Sequence, residues 1–368
     1  MERLNSLTLR GFKSIRELPN LTFGPMNILI GANGAGKSNF ISFFKMLNWM
    51  TPPPGNLKFF IGNYGGANTF LFEGASVTPQ LEAMLTFETE AGINEYYMRL
   101  FHAAQDTLIF AEEKYRFSRH GFTTSAPWKV LGKGHSEAEI IQESEKGDRT
   151  ARTILTILKH CVVYQFHNTS DKARIRQRWA VDDNRFLKED GANLASFLYR
   201  LQQTRPQYYH RIVETIRQIA PFFADFELSP ENGHTMLQWR ERESDVVFGP
   251  HQASDGTLRM FALVTLLLQP EDELPSVIIL DEPELGLHPY AINIVAGLIK
   301  SVSHSVQVVL ATQSMTFIDY FEPKDIIVVD RPKRESLFNR LDSGKLKEWL
   351  DEYSLAELWE KNVIGGRP

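Results

Sequence analysis

Residues 31–38 read Gly31-Ala-Asn-Gly-Ala-Gly-Lys-Ser38, a G-x-x-x-x-G-K-S loop between two patterned segments. The preceding apolar run, Met26–Ile30, predicts a buried strand, and residues 39–49 have the apolar spacing of a helix. Strand, glycine-rich loop and helix are the context in which this pattern cradles phosphates. The segment therefore predicts a phosphate site on an α/β fold.

Each residue type in the loop has an expected task. The glycines let successive backbone N–H groups converge on phosphate oxygens at the positive end of the following helix. Lys37 is expected to reach the β- and γ-phosphates, and the Ser38 hydroxyl is expected to ligate Mg²⁺. The candidate phosphate-binding residues are Asn33, Gly34, Ala35, Gly36, Lys37, Ser38 and Asn39.

A second motif, far along the chain, supplies carboxylates. The apolar run 277–280 predicts a buried strand that ends in Asp281 and Glu282, the Walker B arrangement. Asp281 is expected to hold Mg²⁺ directly or through water. Glu282 is expected to orient and deprotonate an attacking water. The two motifs together predict a site for hydrolysing a nucleoside triphosphate.

Further polar residues flank Walker B. Ser254-Asp255-Gly256 precedes a predicted helix, so its backbone forms another anion cradle. Gln313 follows the predicted strand 306–310, and the carboxyl ends of parallel strands meet at one edge of a sheet. We therefore expect Gln313 at the same edge as the Walker B carboxylates.

Composition narrows the class of protein. The 368 residues are 43% hydrophobic and 23% charged, which is ordinary for a globular chain. No apolar run is long enough to span a bilayer and the N-terminus lacks the apolar core of a signal peptide, so a cytoplasmic protein is expected. Cys161 is the only cysteine, which excludes an intrachain disulfide and a cysteine-based zinc site.

The charge distribution is uneven. The whole chain has a net charge of −5, but residues 149–217 carry 13 Lys and Arg against 6 Asp and Glu, a net charge of +7. This segment predicts contact with a polyanion such as DNA, and a solvated face is the alternative. Arg174, Arg176 and Arg178 beside Trp179 are the candidate DNA strip.

Periodicity predicts an α/β architecture with insertions. Apolar strands alternating with helices indicate a largely parallel sheet flanked by helices, with a β-rich lobe and a helical insertion. Residues 131–148 are expected to form a mobile loop, and 346–361 a terminal helix that packs in the core or docks a partner. The predicted domains are an ATPase core (1–50 and 245–368), a β-rich lobe (51–150) and a basic, partly helical lobe (151–244).

The order of these motifs resembles the ATP-binding-cassette (ABC) ATPase heads of the RecF/SMC group. More narrowly, it resembles small stand-alone bacterial AAA-family ATPases related to the heads of overcoming-lysogenisation-defect nucleases. The opening stretch 9–15 and the closing stretch 363–368 also fit that group. The resemblance implies a P-loop NTPase fold with an ABC-type head, with ATP and Mg²⁺ as cofactors.

The resemblance also implies a mechanism. Two heads pair as a homodimer that sandwiches ATP, and the signature Ser254, Asp255 and Gly256 of one subunit faces the nucleotide of the other. Gln313 takes the switch position, where many family members have histidine. Gln165 is the candidate for the glutamine that bridges the lobes and contacts the metal. The signature reads Ser-Asp-Gly where transporters have Ser-Gly-Gly, and this departure together with Gln313 implies a slow, gated ATPase.

Several functions stay open at this point. The resemblance implies an ATP-gated switch on DNA or with a DNA-targeting effector, in anti-phage defence or DNA repair. The stretch after the switch strand is too short for the Toprim domain of the nucleases, so a nuclease is expected only as a separate partner. The alternatives are the energy subunit of a membrane transporter and a nucleotide-binding scaffold with negligible turnover.

Overall fold

The computed structural model describes residues 2–52, 55–121 and 126–367. Its strands are β1 Arg3–Phe12, β2 Ile15–Thr22, β3 Met26–Ile30, β4 Gln80–Thr89, β5 Gly92–Ala103, β6 Thr107–Arg119, β7 Lys129–Gly132, β8 Cys161–Tyr164, β9 Trp179–Ala180, β10 Phe223–Phe226, β11 His234–Thr235, β12 Trp239–Glu241, β13 Val247–Phe248, β14 Val277–Asp281, β15 Gln307–Thr312, β16 Ile326–Asp330 and β17 Leu337–Arg340. Its α-helices are α1 Lys37–Met50, α2 Leu57–Asn63, α3 Ile140–Glu145, α4 Arg149–Lys159, α5 Leu194–Thr204, α6 Pro206–Ile219, α7 Asp255–Leu268, α8 Pro289–Val302, α9 Met315–Ile318, α10 Ser343–Leu350 and α11 Leu355–Glu360.

A largely parallel sheet forms the centre of the fold. Its strand order is β17-β16-β3-β15-β14-β8, with every pairing parallel except that of the edge strand β17. Strands β3, β14 and β15 are buried along their whole length, because helices or a second sheet cover both faces. The expected α/β class with a doubly covered parallel sheet is confirmed.

An antiparallel sheet packs against one side of this centre. Its order is β2-β1-β4-β5-β6-β7, so it takes two strands from the first 50 residues and four from the segment 51–150. One core joins it to α1, α4 and one face of the parallel sheet. The sheet therefore runs across the predicted boundary at residue 50, and the three-part domain division stays a prediction.

The opposite face of the parallel sheet is covered by helices. A second core holds the apolar faces of α5, α6, α7 and α8 together with the C-terminal helices. The helical insertion is thus part of the layer that buries the sheet. No helix in residues 2–52, 55–121 or 126–367 combines the length and apolarity that crossing a bilayer requires.

Three local predictions need correction. The lobe 51–150, predicted as β-rich, contains a helix, α2, ahead of its four strands. The stretch 131–148, predicted as a loop, contains α3 and is tied down by the buried carboxylate of Glu113, which accepts hydrogen bonds from Tyr96 Oη and the Glu139 N–H. The terminal helix is two helices, α10 and α11, because Ser354 caps a new helix with its side chain.

Candidate nucleotide-binding site

The phosphate-binding loop is held from behind by two serines. Ser336 Oγ donates to the carbonyl of Ala35 (2.6 Å) and shares a second hydrogen bond with Ser14 Oγ (2.7 Å). Asn39 Nδ2 donates to Ser14 Oγ as well (2.8 Å). Gly36 has a φ of 120°, and a Cβ there would lie 2.1 Å from Ser336 Oγ, so only glycine fits. The motif alone did not reveal either serine.

Lys37 lies inside the loop that precedes it. Its side chain is buried, and Nζ donates to the carbonyls of Gly31 (2.5 Å) and Ala32 (3.1 Å). Burial lowers the pKa of Lys37, while the nearby carboxylates of Glu282 and Asp281 raise it. The lysine and the Walker B carboxylates therefore share one electrostatic site, as the two motifs predict.

Asp281 ends β14 at the carboxyl edge of the parallel sheet. Its Oδ2 accepts a hydrogen bond from Gln165 Nε2 (2.7 Å), and its carbonyl oxygen is 2.8 Å from His167 Nε2. Burial raises the pKa of Asp281, and His167 and Lys45 oppose that shift. Gln165 and His167 follow β8, which pairs with β14, so strand order alone brings them here.

Glu282 occupies a strained position next to Asp281. Its φ is 43°, in the left-handed region that non-glycine residues seldom adopt, and its N–H donates to the carbonyl of Ala311 (2.8 Å). Gln313 Nε2 donates to Glu282 Oε1. The structure thus brings together the two side chains predicted as base and switch, and the turn aims Glu282 away from the core.

A second acidic residue, Glu284, supports this edge, and the motifs predict no role for it. Thr312 Oγ1 donates to Glu284 Oε1 (2.5 Å) and accepts from the Ser314 N–H (3.0 Å). Glu284 Oε2 is buried and has no hydrogen-bond partner within the described part of the chain. Burial raises the pKa of Glu284. The signal that the sequence offers for Glu284 is its position three residues after Asp281, in Asp281-Glu-Pro-Glu284.

Oxygen ligands for a magnesium ion are present at this edge. The Ser38 hydroxyl is exposed at the start of α1, and the Asp281 carboxylate ends β14. Hydroxyl and carboxylate oxygens are the ligands Mg²⁺ prefers, so this pair fits. The amide of Gln165 is oriented differently: its nitrogen faces Asp281, and its oxygen accepts from Lys45 Nζ. As a metal ligand, Gln165 stays a prediction that requires its amide to turn.

The signature Ser254–Gly256 packs against the turn that follows Walker B. Ser254 caps α7, with its Oγ accepting from the Thr257 N–H (3.1 Å). A Cβ on Gly256 would lie 2.3 Å from the carbonyl oxygen of Gly286, so glycine is required for this contact. Ser254 and Asp255 are exposed. The N-terminus of α7 thus faces solvent at Ser254 and Asp255, while Gly256 packs against the turn after Walker B.

Arg176 holds the signature loop from inside the protein. Its side chain is 5% exposed, and its guanidinium donates to the carbonyls of Thr169 (2.8 Å) and Pro250 and to Asp255 Oδ1 (3.2 Å). The predicted DNA strip is therefore wrong for this residue. Its exposed neighbour Arg178 is ion-paired with Glu231.

Arg174, the third residue of that strip, is exposed and ion-paired with Asp190 (2.9 Å). Its guanidinium lies 4.8 Å from the centre of the Trp179 ring. The tryptophan therefore already has a cation stacked on it.

A cavity of about 330 Å³ adjoins the phosphate-binding loop. Ser14 and Asn39 connect it to the loop, and Lys13, Arg331 and Arg334 make its wall positively charged. Arg331 Nη1 also donates to the carbonyl of Gly34 (3.0 Å). The cavity is thus continuous with the loop and rich in hydrogen-bond donors.

Comparison with known proteins identifies the family. Residues 26–319 match the family described as "AAA domain, putative AbiEii toxin, Type IV TA system". The match covers well over half of the chain, and the chain therefore belongs to this AAA family. No curated protein matches it in sequence.

Solved structures identify the fold. An Smc head bound to the C-terminal domain of ScpA from Pyrococcus furiosus matches with a TM-score of 0.61 and 14% identity, covering 96% of this chain and 99% of that one. Another Smc head, bound to the C-terminal winged-helix domain of ScpA, matches with a TM-score of 0.58 and 18% identity, covering 93% and 99%. The fold is that of an ABC/SMC-type ATPase head.

Proposed function

We propose that the chain binds ATP in the loop 31–38 and hydrolyses it slowly. The observation that carries the proposal is the hydrogen bond from Gln313 to Glu282 at the sheet edge that also carries Asp281. Glu282 is the general base that takes the proton of the attacking water. Gln313 holds one carboxylate oxygen of Glu282, so the other is free to orient water. Lys37 binds the terminal phosphates.

Ser38 and Asp281 would hold the magnesium ion in this proposal. The ion would supply charge neutralisation at the β- and γ-phosphate oxygens. The chain's own contribution is to fix both ligands on rigid elements, Ser38 on α1 and Asp281 on β14. The positive field of Lys37 and the N-terminus of α1 adds to that of the metal.

In this proposal the adenine and the ribose of ATP lie in the cavity beside the phosphate-binding loop. Its donors, from Lys13, Arg331 and Arg334, match the acceptor nitrogens and oxygens of a nucleoside. Arg334 is ion-paired with Glu73 (3.3 Å), so an acceptor is present on the same wall. ATP is the nucleotide we propose, because a phosphate-binding loop and Walker B carboxylates lie together here on the fold of an ATPase head.

A second copy of the chain completes the site. The signature residues Ser254 and Gly256 are presented at the exposed N-terminus of α7, a positive helix end suited to phosphate. Their local contacts run to Thr257 and to the Gly286 turn. A head-to-tail homodimer would bring this terminus to the nucleotide of the partner, so ATP holds the dimer together and hydrolysis releases it.

The proposal also includes a protein partner and a biological role. Two similar Smc heads are bound to domains of ScpA, which supports a separate protein partner for this head. The family description names a toxin of a type IV toxin–antitoxin system, which supports a role in bacterial defence. We propose an ATP-gated switch that works with a DNA-targeting effector. The basic segment 149–217 supports direct DNA contact, although Arg176 takes no part in it.

Phosphate release tests the proposed activity. Glu282→Gln should lower kcat by about 10²- to 10⁴-fold while ATP binding is kept, because the general base is lost. Lys37→Ala should abolish binding and is the control for a contaminating ATPase. Light scattering should show the Glu282→Gln variant as a dimer in ATP and a monomer without it. Equal rates for native and Glu282→Gln protein would mean that the chain is a nucleotide-binding scaffold.

A further inference from the structure

A lysine outside every motif reaches the proposed metal site. Lys45 lies two turns after Ser38 on α1, a spacing that puts both side chains on the same face of the helix. Its Nζ donates to Gln165 Oε1, and Gln165 Nε2 donates to Asp281 Oδ2 (2.7 Å). The backbone of Gln165 is fixed as well, since its N–H donates to the carbonyl of Glu189 (2.9 Å). The three side chains form a continuous hydrogen-bonded chain.

The two ends of this chain fix the orientation of the amide between them. A lysine amino group donates to Gln165 here, and an ionised carboxylate can only accept. The amide oxygen must therefore face Lys45 and the amide nitrogen must face Asp281. Turning the amide over would set donor against donor at Lys45 and acceptor against acceptor at Asp281. The orientation follows from the chemistry of the neighbours.

This orientation of the Gln165 amide disfavours the binding of a cation at Asp281. A divalent ion bound to Asp281 would meet the NH₂ group of Gln165, which has no lone pair to offer. To become a ligand, Gln165 must turn its oxygen toward the ion and give up its hydrogen bond from Lys45. The positive charge of Lys45 also acts on Asp281. Both effects make the metal harder to bind.

We propose that Lys45 is a positioning residue that holds Gln165 as a hydrogen-bonded brace on Asp281 and thereby raises the Mg²⁺ concentration at which the site fills. The proposal rests on the proposed Mg²⁺–ATP site. The hydrogen-bonded brace would slow ATP turnover by hindering metal binding, and all three of its residues belong to one subunit. A lysine that served only to stabilise the fold would have the opposite effect, because its loss would loosen the site and weaken metal binding.

The test measures metal binding directly with Mn²⁺ as a paramagnetic probe. Each variant is loaded with a non-hydrolysable ATP analogue, and bound Mn²⁺ is followed by electron paramagnetic resonance. Lys45→Met, which removes the donor and the charge but keeps the length, should lower the half-saturating Mn²⁺ concentration about tenfold, the worth of one charge-assisted hydrogen bond. Lys45→Arg, which keeps both, should stay within about twofold of native. Lys347→Met, on the exposed face of α10, is the matched control.

A double variant separates the effect of Lys45 on the Gln165 amide from the effect of its positive charge on the metal. Gln165→Leu removes the amide, so Lys45→Met should have a clearly smaller effect in that background than in the native chain. An equal effect in both backgrounds would overturn the positioning role, and so would unchanged or weaker Mn²⁺ binding in Lys45→Met. If the native chain bound no nucleotide at all, the proposed function itself would fail, which is a different result.

Discussion

Arg176→Met gives the sharpest test of how the signature loop is held. Arg176 is buried and donates to the carbonyls of Thr169 and Pro250 and to the carboxylate of Asp255. Each buried carbonyl that loses its donor costs about 1–3 kcal/mol. The ion pair with the mostly exposed Asp255 adds less than about 1 kcal/mol. We expect the variant to lower the free energy of unfolding by about 3–5 kcal/mol, since methionine keeps part of the packing.

Arg178→Met is the matched control, because Arg178 and its partner Glu231 are both exposed and such pairs contribute less than about 1 kcal/mol. Urea unfolding followed by circular dichroism measures both variants against the native chain. The Arg176 variant should also lose ATP turnover in the folded state, because the loop that carries Ser254 is no longer anchored. Equal stability of the two variants would refute the assignment of Arg176 as the internal anchor of the signature.

Gln313→Ala should lower kcat by about tenfold or more with little change in ATP affinity, because Glu282 loses the hydrogen bond that orients it; steady-state phosphate release and a binding titration separate the two. Glu284→Gln should raise the melting temperature more at pH 7 than at pH 4: burial raises the pKa of Glu284 above its ordinary value of 4.5, so the native chain loses stability as the pH rises through that raised value, and the neutral glutamine does not. Arg174→Glu combined with Arg178→Glu should leave stability nearly unchanged and weaken salt-dependent duplex binding; unaltered binding at low salt would remove the direct DNA contact from the proposal.

Much of the fold could be predicted from the sequence, because the parallel sheet is built from apolar runs that leave little choice. The strands at 26–30 and 277–281 and the helix at 289–302 form where periodicity and caps place them. The helix α3 was missed because its tether is a buried glutamate on a distant strand, a contact that no local pattern records. The break before α11 was a local signal, the capping box at Ser354, that helical spacing concealed.

The residues of the candidate site also fall into those that the sequence predicts and those that it does not. Residues of the phosphate-binding loop and Walker B follow from motifs whose spacing reflects their chemistry. Ser336 and Lys45 have no such spacing, because each acts on a residue far away in sequence through a single hydrogen bond. Arg176 was misassigned because charge in a sequence does not reveal burial, and its carbonyl partners are invisible until the loops have folded around it.

In the proposed mechanism two copies of the chain build each nucleotide site, so two inactive variants should complement each other when they are mixed. Lys37→Ala destroys the phosphate-binding loop but keeps the signature, and Ser254→Arg does the reverse. Each alone should be inactive, whereas an equal mixture should recover about a quarter of the native rate, because half of the dimers are mixed and each holds one intact composite site. A mixture no more active than its separate components would rule out a site shared between two subunits, as would native activity in Ser254→Arg alone.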